Sequence, residues 1–251
     1  MKTLDKKLKT IAAGKYKPAD FILADAKDPD YAFGARGNGA LDYRDQSGPH
    51  RSIPQFLDSI RAIVKQKQMD IMLGSVSNIE KLVAEGVFEK SDVTPAIRAN
   101  DTTDIWLPRG ASYSTEPSRP WRTANLAHAR KFADLGLYSV TFNNILDRDY
   151  ATIEAYAEFR VDAVKNKFRH FLEVFNPNVD AKLAPGDIGA FVNDNLARSL
   201  SGVLKRDRPE FLKYPYNGPK ALEELVAFDP GLVIGVLGGG AGTTRDTFEL
   251  L

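Results

Sequence analysis

The chain has no cysteine, so it can build neither a disulfide framework nor a thiolate metal site, and a reducing cytoplasm is its expected home. It also lacks an excess of either charge: 34 Lys and Arg against 33 Asp and Glu leave a net +1. Without a long block of one sign, the broad attraction on which nucleic-acid binders rely is missing, while a small anionic ligand stays open. No segment reaches the ~18–20 consecutive apolar residues that span a bilayer. The amino terminus, MKTLDKKLKTIAAGKYKPAD, carries lysines but no apolar signal-peptide core. The three histidines, His50, His128 and His170, have no metal-ligand spacing and read as surface or core filler. What the 251 residues do have is 43% hydrophobic content, enough to bury a large core.

Short apolar runs alternate with helix-period stretches along the chain. Strands are predicted at FILADAK (21–27), DIMLGSV (70–76), VTPAIRA (93–99), LYSVTFNNI (137–145), HFLEVF (170–175), EFLKYP (210–215) and GLVIGVLGGG (231–240). The third is the weakest, because Pro95 removes a ladder donor. Helices are expected between them: at 53–67, at 77–88 with Ser77 and Glu80 at capping-box spacing, over TANLAHARKFADLG, over a long stretch from Tyr150, at DIGAFVNDNLARSLSGVLK and at GPKALEELVAF.

Regular βα alternation demands a parallel sheet, since each parallel neighbour needs a crossover. The fold class predicted is a single TIM (β/α)8 barrel over residues 1–251, with 1–19 a helical extension. The count is one unit short. The last strand–helix unit is missing from this chain, or an early loop segment completes it, or the sheet is open. A barrel, incomplete if need be, is favoured because polar residues fall late in nearly every strand, where barrel active sites collect. The loops at 28–52 and 100–124 would overhang that same face.

Lys213 is the sharpest of these polar residues, standing at the end of a short apolar run and just before a proline turn. On a two-residue period it shares a face with Phe211 and Pro215, where lost hydration would keep part of the amine neutral and nucleophilic. A lysine snorkelling to solvent is the plainer alternative. Asp25 lies among Phe21, Leu23 and Lys27, and Glu173 lies between Phe171 and Phe175. Carboxylates in apolar surroundings exchange protons near neutrality. Acid, base and amine would then converge, unless the three are only buried ion pairs. In GVLGGGAGTTRDTF, a strand runs into glycines and then a helix opening at Thr243 and Thr244. The exposed amides there bind phosphate, with Arg245 as an added donor. The arginine-rich loop RGASYSTEPSRPWRTAN, with Arg109, Arg119, Trp121 and Arg122, either closes over the site or is merely exposed.

On Asp25, Glu173, the segment FLKYP and the glycine turn, the chain resembles the class I (Schiff-base) aldolases of the (β/α)8 type, among them the fructose-bisphosphate, tagatose-bisphosphate and deoxyribose-phosphate aldolases. The resemblance implies a lyase that acts on a sugar phosphate without metal or organic cofactor and commonly self-associates. It makes Lys213 the imine-forming residue, Glu173 the proton shuttle and Asp25 the assistant at the carbon–carbon bond. Gly238, Gly239, Gly240 and Gly242 would present amides to the phosphate. Where relatives carry a lysine or tyrosine in the fourth strand, this chain has Thr141, Asn143 and Asn144, so Arg98 or Lys27 would take the electrostatic role. Two other readings stay open: a divalent-metal lyase using Asp25, Glu173 and Asp101, and a barrel that binds a phosphometabolite without turning it over.

Overall fold

The computed structural model describes residues 1–102 and 109–237. They fall into two compact units, one of residues 1–99 with 124–136 and one of residues 100–123 with the chain from 137 onward.

In the first unit, α1 (Thr3–Ala12) precedes β1 (Ala24–Lys27), α2 (Pro29–Phe33), α3 (Ile53–Gln66), β2 (Ile71–Gly74), α4 (Val76–Ala84), β3 (Thr94–Arg98) and α5 (Leu126–Ala129). The helix α3 begins where Ser52 and Gln55 form a reciprocal capping box and Pro54 occupies the first turn. Its apolar stripe of Phe56, Leu57, Ile60 and Val64 is buried. The side chain of Asp70 anchors β1 by accepting from the Leu23 amide at 2.8 Å and from Lys7 on α1 at 2.7 Å. Both described pairings, β1 with β2 and β2 with β3, are parallel.

The second unit holds the greater part of β4 (Leu135–Thr141), then α6 (Leu146–Lys165), β5 (Arg169–Phe175), α7 (Ile188–Ser201), β6 (Leu212–Tyr214), α8 (Pro219–Phe228) and β7 (Ile234–Val236). Every residue of β4 is buried. Its even-numbered side chains pack on α6: the Tyr138 ring centroid lies 4.3 Å from Phe159 and 5.2 Å from Tyr156. The Tyr156 hydroxyl and His170 Nε2 are hydrogen-bonded at 2.9 Å. Its odd-numbered side chains, Ser139 and Thr141 among them, leave for the opposite face.

The closed TIM (β/α)8 barrel expected from the sequence is not formed. The seven strands run β1–β2–β3–β4–β5–β6–β7 in one open sheet, with β1 and β7 as its end strands. Closure requires the last strand to bond the first at a fixed stagger. Among the described residues β1 pairs with β2 and β7 with β6, and no eighth strand fills the gap. The fold is α/β with a parallel sheet, as the crossover argument requires, but open.

Other boundaries move for local reasons. Phe21 and Leu23, expected inside the first strand, precede β1 and are 56% and 44% exposed. The helix expected over 123–136 shrinks to the four residues of α5, because Leu135 and Gly136 are drawn into the buried ladder of β4. The cap of α4 is Ser75, not Ser77; its hydroxyl donates to Asp30 at 2.8 Å, and Asn78 donates to the same oxygen at 3.1 Å.

Burial, with the nearby charge of Arg160, lowers the His170 pKa from 6.5 to about 3. The folded value is the depressed one, so between these limits the unfolded chain takes the extra proton and stability falls as pH drops. His170→Gln is therefore expected to lose less stability than the parent between neutral pH and pH about 4.5, by roughly 2–3 kcal/mol in urea titrations.

Candidate functional site

The site grows from strand register. In the parallel pair β5–β6, Glu173 stands beside Lys213 and Leu172 beside Leu212, so both polar side chains leave the same face of the sheet. One step earlier on that face, the Phe171 and Phe211 rings stack with centroids 4.6 Å apart. This aromatic floor keeps water from one side of the pair. Lys213 Nζ donates to Glu173 Oε1 at 2.5 Å, and Ser139 Oγ donates to Glu173 Oε2 at 2.6 Å. Glu173 is 1% exposed, while the Lys213 side chain keeps 24% of its surface open. A buried carboxylate is thus held by a cation and a hydroxyl, and the lysine side chain stays partly open to solvent.

Ser139 is itself fixed. Asn100 accepts from the Ser139 amide at 2.6 Å and donates to its carbonyl at 2.9 Å, so one buried amide clamps both backbone groups. Alongside, the hydroxyls of Thr102 and Thr141 share a hydrogen bond at 2.6 Å. Asn100, Asp101, Thr102, Ser139, Thr141 and Asn143 are all buried. Polar groups so placed cost free energy unless paired, and a core needs no such stripe. On β6, burial pushes the Tyr214 hydroxyl up to about 12, leaving it a phenol that donates to Asn193 at 2.6 Å.

The other sequence-predicted residues are placed differently. Asp25 belongs to the first unit and pairs with Lys27, both about a quarter exposed. Arg98, of the same unit, is 4% exposed and bonds Asp28 at 3.1 Å. Gly238, Gly239, Gly240, Gly242, Thr243 and Arg245 lie outside the described residues. Arg122 is held by Asp162 on α6 at 2.8 Å and sits over the Phe159 ring. The loop before it is tied down by Asn178, which accepts from the Ser118 amide and donates to the carbonyls of Tyr113 and Glu116. Among the described residues no three His, Asp or Glu side chains gather as metal ligands, and no helix is long and apolar enough to cross a membrane.

Sequence reasoning missed Ser139 and Asn100. The signal was present in LYSVTFNN, where Ser139, Thr141 and Asn143 recur at a two-residue period inside an apolar strand.

No family model matches the chain, and no curated protein matches it. Among solved structures it is similar to Cgl0159 of Corynebacterium glutamicum (Brevibacterium flavum), a structural-genomics target, with 17% identity and a TM-score of 0.62. The likeness covers 98% of this chain and 83% of that one, and it is a likeness of fold.

Ser139→Ala removes a hydroxyl donor that holds the Glu173 carboxylate. The expected cost is about 1–3 kcal/mol of stability in urea titrations, the penalty of a hydrogen bond lost at a buried charged group. Ser201→Ala, which removes an exposed hydroxyl on α7, should cost less than about 0.5 kcal/mol.

Proposed function

We propose that the chain is a class I aldolase that cleaves or forms a carbon–carbon bond of a phosphorylated ketose through a Schiff base on Lys213. The observation that carries this reading is the contact of a partly exposed lysine with a buried carboxylate, 2.5 Å between Nζ and Oε1. An imine-forming lysine must shed a proton before it can attack, and Glu173 is placed to take it.

The steps use this pair. Lys213 passes a proton to Glu173, and the neutral amine adds to the ketone carbon. Glu173 returns a proton to the new alkoxide, takes one from nitrogen, and then protonates the hydroxyl, which leaves as water. The resulting iminium draws electrons from the adjacent carbon–carbon bond. Glu173, again a carboxylate, removes the proton of the β-hydroxyl; the bond breaks, an aldehyde leaves and an enamine remains. Protonation of the enamine carbon by Glu173 and attack of water on the iminium release the ketone product and restore the amine. Ser139 keeps Glu173 aimed throughout, since its hydroxyl occupies the carboxylate oxygen that does not face Lys213. By the resemblance, the substrate phosphate is assigned to the glycine run 238–242.

Borohydride reduction in the presence of dihydroxyacetone phosphate is expected to leave a stable adduct on the peptide containing Lys213. Lys213→Met should lack both the adduct and turnover, and a chelator should leave turnover unchanged. An adduct on another lysine, or cleavage surviving in Lys213→Met, would overturn the proposal. Turnover that a chelator abolishes would favour the metal-dependent reading.

A further inference from the structure

A second concave surface lies at the amino end of β5, away from Lys213. It is a cleft of about 490 Å³ that runs from α6 across the start of β5 to the turn before β6. Arg160, Lys167, Arg169, Arg206 and Arg208 line it, against Asp207 and Glu210. With Asp229, the partner of Arg208, counted as well, five cations face three anions for a local balance of +2.

Two of the cations, Arg160 and Arg208, are held rather than loose. The Arg160 guanidinium sits over the Tyr156 ring, 5.1 Å from its centroid, and its buried Nε has no hydrogen-bond partner among the described residues. Asp229 holds Arg208 at 2.5 Å. Lys167 follows α6 in the left-handed backbone region, with φ 51°, which turns the chain sharply into β5. Beneath them the buried imidazole of His170 contributes no charge at neutral pH. Ala163 and Phe168, both buried, form an apolar wall.

We propose that this cleft binds a multiply charged phosphate-type anion carrying a small organic body. Several guanidinium groups match the oxygens of a diphosphate, the orphaned Nε of Arg160 supplies a donor that gains a partner on binding, and the apolar wall receives the uncharged portion. The site is independent of the aldolase reading: β5 opens with Arg169 and His170 at the cleft and carries Glu173 further along, toward its carboxyl end.

Inorganic pyrophosphate is the probe, titrated calorimetrically into the full chain at low and at physiological salt. Saturable binding that weakens with salt is expected. Arg160→Met keeps an unbranched apolar stem and removes the guanidinium, and Arg206→Glu reverses an exposed charge at the rim. Each should weaken binding about tenfold or more, the effect of one lost charge-assisted contact. Lys213→Met, at a temperature where circular dichroism shows it folded, should bind as the parent does. If Arg160→Met fails to fold by circular dichroism, Arg206→Glu alone carries the test. Absence of saturable binding, equal affinity in the folded cleft variants, or loss of binding only in Lys213→Met would each overturn the proposal.

Discussion

A carboxylate placed where water cannot reach it must be answered by other groups, and the second unit is arranged around that demand at Glu173. The Lys213 ammonium and the Ser139 hydroxyl are among the groups that meet it. Replacing such a pair by apolar side chains is often neutral or stabilising, so its presence on a sheet face is not explained by stability alone. The adjoining polar stripe, from Asn100 to Thr141, strengthens the point. Each member is buried, and each satisfied group serves to hold a neighbour in place. This is what a site needs if one proton is to be handed between fixed atoms repeatedly.

The order of the chain delivers these groups with little machinery. Parallel register sets Glu173 beside Lys213, the two-residue period turns both to one side, and the stacked Phe171 and Phe211 close the space below. The even-numbered residues of the same strands do a different job: Tyr138 and His170 pack on α6 and carry the helix layer. One strand thus presents a polar working face and an aromatic structural face.

The alternation of elements was legible because apolar period changes from two to 3.6 residues are visible along one chain. All seven strands appear near their expected places, and Lys213 and Glu173 were singled out from their own short contexts. Closure was not legible. Whether seven strands curl to meet or stay open depends on stagger and on pairing between distant segments, which no local window contains. The pairing of Asp25 with Lys27, two residues on in the same strand, follows the strand period. The partner of Arg98 was hidden for a related reason: Asp28 lies just past the end of β1 and meets Arg98 only once that strand lies beside the others. The role of Ser139 needed the neighbouring strand, since a serine in an apolar run is uninformative until something lies opposite it.

The account stands on a strong energetic coupling between Lys213 and Glu173, and a double-mutant cycle measures it directly. Lys213→Met alone removes the ammonium that contacts the buried Glu173 carboxylate and should cost about 3–5 kcal/mol in urea unfolding. Combined with Glu173→Gln, much of that cost should be recovered, giving a coupling energy of at least about 2 kcal/mol. If instead the two substitutions add to within about 0.5 kcal/mol, the side chains do not share a proton-transfer contact, and the reading of this face as a reactive centre is contradicted.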